Sequence, residues 1–366
     1  MPIYMDRHDV SVEVTAENVA QLHIQDLKVQ DKFDCKGLTY WYDDIRKIAF
    51  CLVEAPNKES IMKMHHHAHG EVPSQILEVD KVIVESFLGR IQDPENLTNN
   101  ELNIINDPAQ RTLMVIQFTT ISLKGYSILQ SETSIHQAIH TISNTLDRFE
   151  GRLVKQKEAY LLVSFKSAYN AVECAIELKN MQRELKKGFG NSHINIKIGL
   201  ASGMPVAENK TIFENTIKLA ERLCLLDTEK IVTSVEVKNL FITENSNATF
   251  DKDKLHTLTL SEENFITVLM DFIEKEWQNS ELKVDDFGSS LGMSKTLTYR
   301  KMMSLSGKSP SNFIKEYRLT QALGRINLKV NNVSEIAFET GFNSPSYFSK
   351  CFQERFELLP SDYINS

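Results

Sequence analysis

The sequence predicts a multidomain chain in which two α+β domains precede an all-α domain. Three observations carry this expectation. The chain has 366 residues, more than one ordinary core organises at about 100–200 residues per domain. Two polar stretches without periodicity, Gln92–Glu101 and Thr243–Thr249, break the hydrophobic pattern. Up to about residue 262 the apolar spacing mixes strand and helix periods, and beyond it the spacing is helical almost throughout. The domains are therefore placed at 1–92, 108–262 and 263–366.

Hydrophobic residues make up 42% and charged residues 25% of the chain, the balance of a globular protein and not of a disordered or fibrous one. The longest uncharged apolar runs, such as Thr112–Leu123, fall short of the roughly 20 residues that a membrane span needs. Met1–Val10 carries acid where a secretory leader would be apolar. Five cysteines (Cys35, Cys51, Cys174, Cys224, Cys351) form no CxxC pair, which fits a reducing cytoplasm better than a disulfide scaffold. The net charge of −8 argues against a protein that coats nucleic acid, but the charge is unevenly spread. Between Ser294 and Lys329 eight Lys/Arg stand against one acid, Glu316. A confined basic run of this kind is the electrostatic footprint of a nucleic-acid contact.

In the first domain Ile3–Met5 reads as a strand, and Thr15 caps a helix carrying Val19, Leu22, Leu27 and Phe33. Leu38–Tyr42 and Ile48–Val53 are strands around the turn Asp43-Asp44; a helix begins near Asn57, and Val79–Leu88 is expected to return as a strand. That order, βαββαβ, is the ferredoxin-like arrangement. The second helix contains Met64-His-His-His-Ala-His-Gly70. His65 and His69 stand four apart and share a helix face, a workable half-site for a borderline metal, and His8 and His23 lie on elements able to bring them near. The segment is similar to a small ferredoxin-like domain family described as nickel-binding, through Pro2–His8, Tyr40-Trp41 and His65–Gly70. The resemblance implies nickel or another divalent transition metal as cofactor, with His8, His65 and His69 as candidate ligands.

The middle domain is also mixed. Its strand-like runs are Leu113–Phe118, Arg152–Lys155, Tyr160–Phe165 and Ile194–Leu200, and its helical runs lie around Ile135–Phe149, Ala168–Leu185 and Phe213–Leu225. It is similar to class III adenylate/guanylate cyclase domains at Val154-Lys155, Leu161–Phe165, Ala168, Ala171-Val172, Ile196–Leu200, Gly203 and Leu219–Leu223. A working cyclase needs two aspartates to hold two divalent cations over the triphosphate. At the matching positions this chain has Thr120 and, in place of a GDG-like turn, Glu158-Ala159-Tyr160. Lys218 replaces the asparagine of the family's Asn-x-x-x-Arg pair, and Arg222 remains. The resemblance thus implies a domain without cyclase chemistry, left to dimerise, bind a small ligand or transmit a signal.

The last domain carries a repeated pattern. A short helix from Val284 ends at Leu291, Gly292 permits a tight turn, and Ser294 caps a second helix with Lys295, Thr296, Thr298, Tyr299, Arg300 and Lys301. The pattern returns in Val333–Phe342 and in Asn343–Lys350, with Ser344 as cap and Pro345 in the first turn. A basic helix, Ser311–Lys329, joins the two units. The segment closely resembles the DNA-binding domain of AraC/XylS-type transcription regulators at Leu291–Ser294, Tyr299–Lys301, Gly307–Pro310 and Phe313-Ile314. The second unit matches at Glu335–Phe338, Gly341-Phe342, Ser346–Phe348, Phe352, Arg355-Phe356, Pro360 and Tyr363. Glu357 and Ile364 depart from it, standing where glycine and arginine are usual.

The resemblance implies two recognition helices in successive major grooves of double-stranded DNA. Lys295, Thr296, Thr298 and Tyr299 are the first helix's candidates for DNA contact, with Arg300 and Lys301 on phosphates; Asn343, Ser344, Ser346 and Lys350 are the second's. Leu291, Ile336, Ala337, Phe338, Phe342, Phe348 and Phe352 are expected in the core. The expected function is a cytoplasmic, non-enzymatic, sequence-specific transcription regulator. Its front domains would sense a small-molecule or metal effector or form a homodimer, with no membrane partner. The competing readings are a nucleotidyl cyclase and a metal-binding or buffering protein.

Overall fold

The computed structural model describes residues 1–95, 102–121, 139–157, 160–188, 193–207, 211–226, 229–327 and 332–364. Glu158, Ala159, Lys329, the break at 96–101 and the helix start at 135–138 lie outside these residues.

The first domain folds as expected, as a ferredoxin-like α+β unit. Strands β1 (Ile3–Asp9), β2 (Lys36–Asp43), β3 (Ile48–Glu54) and β4 (Gln75–Val79) form an antiparallel sheet in the order β2-β3-β1-β4. Helices α1 (Ala16–Val29) and α2 (Lys58–His69) start where their caps dictate. The Thr15 hydroxyl accepts from the Asn18 amide in a reciprocal capping box, and the Asn57 side chain accepts from the Ser60 amide. The strand expected over Val79–Leu88 is a correction. The strand stops at Val79, the Asp80 carboxylate accepts from the Ile83 amide, and a helix α3 (Lys81–Leu88) follows, closed by Gly89 in the left-handed region. Val84, Phe87 and Leu88, three and four apart, are its buried face, and Val82 and Ile83 turn outward. The β-branched run suggests a strand, but its burial follows the helical period.

Alternation along the strands sends side chains to two different cores. Tyr4, Tyr40, Tyr42, Cys51 and Val53 pack beneath α1 and α2. Met5, Trp41, Phe50, Leu52 and Leu77 point the other way, into a core shared with Leu113, Val115, Leu162, Ala201 and Phe213 of the middle domain. Phe87 of α3 closes this layer, with its ring 4.9 Å from that of Phe213.

The middle sheet comprises β5 (Arg111–Ile121), β6 (Arg152–Lys157), β7 (Tyr160–Phe165), β8 (His193–Gly203), β9 (Ile231–Thr233) and β10 (Leu255–Thr257), in the order β10-β9-β8-β5-β7-β6. β5 runs antiparallel to both β7 and β8, while β9 and β10 add in parallel. One face carries Met114, Ile116 and Phe118 against α4 (139–148), α5 (Ala168–Gly188) and α7 (Val235–Glu244). The opposite face carries α6 (Glu214–Leu225) beside the first domain. Gly199 lets α6 lie close: a Cβ there would stand 2.3 Å from the Ala220 carbonyl oxygen. β9, α7 and β10 are too short or too weakly periodic to stand out in the sequence.

The C-terminal region is helical: α8 (Leu260–Glu276), α9 (Val284–Ser290), α10 (Lys295–Ser306), α11 (Pro310–Asn327), α12 (Val333–Glu339), α13 (Pro345–Phe356) and α14 (Pro360–Ile364). It has two cores. The first joins Phe265, Leu269 and Ile273 of α8 to Phe287, Met302 and Phe313, and it extends to Leu223, Leu226 and Leu258 of the middle domain. The second gathers Leu319, Ala322, Ile326, Ile336, Phe342, Phe348 and Phe352. α11 serves both, one half to each. Among the described residues no helix is long and apolar enough to cross a membrane.

Candidate nucleic-acid interface and metal centre

Each helix pair is built by local chemistry. In the first, Gly292 takes φ +62° after α9, and the Ser294 hydroxyl accepts from the Leu297 amide to start α10. In the second, Asn332 and Glu335 form a capping box at α12, Gly341 takes φ +77°, and Ser344 accepts from the Tyr347 amide with Pro345 in the first turn of α13. Lys295, Thr296, Tyr299 and Arg300 are exposed on α10, with Lys295 Nζ 2.8 Å from Asp285. Asn343, Ser346 and Lys350 are exposed at α13, and Ser344 is half-buried at the cap.

Two expected contacts fall elsewhere. Thr298 is fully buried, spaced with Met302 and Leu305 on the inner face of α10, and its hydroxyl has no hydrogen-bond partner among the described residues. It is a core residue. Lys301 is half-buried, its ammonium 5.2 Å over the Phe265 ring, so it braces α10 against α8. In the opposite direction, Phe338 is 57% exposed although expected in the core, because Ile336 and Ala337 take the inner positions of α12. Tyr347, 54% exposed between Ser346 and Lys350, joins the open face of α13. Its place in the helical phase with Ser346 and Lys350 was the available signal.

The histidines of the first domain also meet. His8 and His65 rings are 4.8 Å apart in a T-shaped pair, and His65 and His69 rings are 5.5 Å apart. Three further donors, with no local signal in the sequence, join them: Asp6 of β1, Cys51 opposite it on β3, and Asp26 of α1. Donor atoms of Asp6, His8 and Cys51 lie within 4.8 Å of one another, as do those of Asp26, His65 and His69. His65 bridges the two groups, with Nε2 3.0 Å from Asp6 and Nδ1 3.1 Å from Asp26. His23 turns away, to Asp93 at 3.2 Å and against the Tyr40 ring.

This cluster is charged and buried. Burial alone would lower the His65 pKa, but the Asp6 charge and hydrogen bonds to Asp26 and Asp6 outweigh it and push it up to about 10. Burial would raise Asp6, yet His65 and His8 hold it well below the usual carboxylate range; Asp26 is lowered likewise by His65 and His69. Burial, and next the Asp6 charge, keep the Cys51 thiol protonated. His8 Nε2 is buried 3.2 Å from Asp6 yet makes no hydrogen bond of proper geometry among the described residues. An orphaned imidazole nitrogen among carboxylates and further imidazoles is a donor set that fits a borderline divalent ion.

At the middle domain the Thr120 position lies near the end of β5, paired with Ile194. Arg222, the arginine that remains of the cyclase pair, is buried in the joint with α8, where it donates to Asp271. Lys218 pairs with Glu214 at 2.7 Å.

Two capped helix pairs on one connecting helix define a tandem helix-turn-helix domain of the DNA-binding class. Residues 288–366 match the family model described as a helix-turn-helix domain, and residues 4–79 match the one described as nickel responsive protein SCO4226-like. The chain is 36% identical over 90 residues to the HTH-type transcriptional regulator ExsA of Pseudomonas aeruginosa, covering 25% of this chain and 32% of that protein. It is 34% identical over 109 residues to histidine kinase P4 of Formosa agariphila, covering 30% and 8%. The crystal structure of SCO4226 from Streptomyces coelicolor is 28% identical, with 21% of this chain and 94% of that one covered and a TM-score of 0.20. The chain thus spans under a third of the length of these two curated relatives. It carries an AraC-type helix-turn-helix domain at its C-terminus and an SCO4226-like domain at its N-terminus.

Proposed function

We propose that this protein is a cytoplasmic, sequence-specific transcription regulator of the AraC/XylS type. Its domains are 1–92, 108–262 and 263–366, and the front two sense an effector or dimerise. The observation that carries the reading is the pair α10 and α13. Each is presented after a glycine turn, and each keeps an open face of small polar, basic and aromatic side chains. On this reading Thr296, Tyr299, Ser346 and Tyr347 meet base edges, while Lys295, Arg300 and Lys350 meet phosphates. Selection of double-stranded DNA by the full chain tests it. The expected result is protection over two adjacent major grooves, with affinity that falls steeply as salt rises. Failure of any duplex to outcompete random DNA refutes it.

Two further assignments belong to the same reading. The middle domain works without cyclase chemistry, which is supported by Thr120 at the end of β5 and by the engagement of Arg222 with α8. Sustained cyclic nucleotide formation from ATP or GTP with Mn²⁺ would overturn that assignment. The first domain takes nickel or a similar divalent ion at His8, His65 and His69 with Asp6 and Asp26. The ion would displace the imidazole protons and link β1, α1 and α2, while the two carboxylates orient the rings and offset its charge.

A further inference from the structure

The joint between the middle domain and the DNA-binding helices is built around one buried arginine. Arg222 of α6 is 4% exposed. Its guanidinium donates to the Asp271 carboxylate, to Glu274 at 3.3 Å and to the Thr267 carbonyl at 3.3 Å, all on α8. Asp271 and Glu274 stand three apart and so share one helix face. Both acids reach solvent, 62% and 42% exposed as side chains, whereas the arginine does not. The arrangement fastens α8 to α6 from the α6 side.

Just past these acids, the C-terminal end of α8 touches the second helix-turn-helix. The Trp277 carbonyl accepts from Arg318 Nε of α11 at 2.7 Å, and the Asn279 carbonyl accepts from its Nη2 at 2.7 Å. Gln278 Nε2 donates to the carbonyl of Glu339, the last residue of α12, at 3.0 Å. Asn343 Nδ2 donates to the Ser280 carbonyl at 3.5 Å. Gly341, in the turn that launches α13, sits so near that a Cβ would stand 2.7 Å from the Trp277 carbonyl oxygen. Arg325 lies 5.7 Å over the Trp277 ring and pairs with Glu339. With 17 residues, α8 is a rod of about 25 Å. Arg222 holds it from its middle to near its C-terminal end, and just beyond that end Trp277–Ser280 butt against the turn before α13. The first helix pair, α9 and α10, packs on its flank.

We propose that Arg222 is a positioning residue for DNA recognition. By latching α8 to α6 it sets, through the Trp277–Ser280 end, the placement of α13 relative to α10, so that a two-groove site is read at full strength only by the latched chain. The proposal rests on the DNA-binding reading for its consequence, but the latch itself is testable without DNA.

The test uses the full chain as wild type, Arg222→Met, Arg222→Lys and the α8 double variant Asp271→Asn, Glu274→Gln, whose acids are largely exposed and leave the α6 core intact. Amide hydrogen exchange is followed without DNA. Affinity is measured for the duplex that the wild type selects and for the same duplex with the half-site of α13 scrambled. Arg222→Met and the double variant are expected to speed exchange at 339–343 about tenfold, with β5 and β7 unchanged. They are also expected to lose about tenfold in affinity for the full site and less than twofold for the scrambled one, and Arg222→Lys keeps most of both. Unchanged exchange at 339–343 in the double variant overturns the latch, and so does an equal loss on both duplexes, which would mark a merely structural role. If the wild type selects no duplex, the regulator reading falls, and the exchange result still decides the latch.

Discussion

Thr298→Val separates the buried side of the first recognition helix from its DNA-facing side. Thr298 is fully buried and its hydroxyl has no partner among the described residues. A buried unpaired hydroxyl costs about 1–3 kcal/mol, and valine keeps the shape while removing the polar atom. Allowing for imperfect repacking, the substitution should stabilise the fold by about 1 kcal/mol. Urea unfolding followed by far-UV circular dichroism reads this as a higher midpoint. Binding to the selected duplex should change less than twofold, whereas Thr296→Ala, two residues earlier and exposed, should weaken it severalfold. A tenfold loss of DNA affinity in Thr298→Val, with stability unchanged or raised, would refute the assignment of this helix face.

Glu357 occupies the left-handed region at φ +61°, closing α13, where a Cβ is unfavourable; Glu357→Gly should raise stability by about 1 kcal/mol, measured by the same unfolding assay. His69→Ala should weaken nickel binding at least about tenfold in calorimetric titration, while His23→Ala, away from the cluster, leaves it unchanged. Burial raises the Asp93 pKa, but the His23 hydrogen bond and charge, with help from Thr39 and Arg90, bring it below the ordinary value. Its folded pKa is therefore depressed. The stability it adds is present above the unfolded pKa of 3.8 and fades as pH falls through the folded value. Asp93→Asn should cost about 1 kcal/mol near neutral pH and nothing in strong acid, a convergence visible in unfolding curves taken from pH 7 to 2.

Much of the C-terminal domain was legible because its signals are local. Ser294, Ser344 and Pro345 announce helix starts within one turn, and Gly292 and Gly341 announce the turns between them. The same locality explains the glycine expected where Glu357 stands, since the backbone there is left-handed. What failed was helical phase and distance. Thr298 and Phe338 have the right chemistry for the roles first given them, but the rotation of each helix reverses inside and outside. Asp6, Asp26 and Cys51 are single residues on three elements, and only the sheet register and the packing of α1 on α2 bring them to the histidines. Nothing local in Arg222 tells that its partners lie 49 and 52 residues further on.

The core shared by the two sheets has a consequence for how such a chain can be taken apart, in the laboratory or by recombination. Cutting near residue 92 would bare Met5, Trp41, Phe50, Leu52 and Leu77 on one fragment and Leu113, Val115 and Phe213 on the other. Each exposed face would be an invitation to aggregate. The first domain thus cannot be exchanged without carrying the middle domain along, and the middle domain is in turn sealed to α8 through Leu223, Leu226 and Leu258.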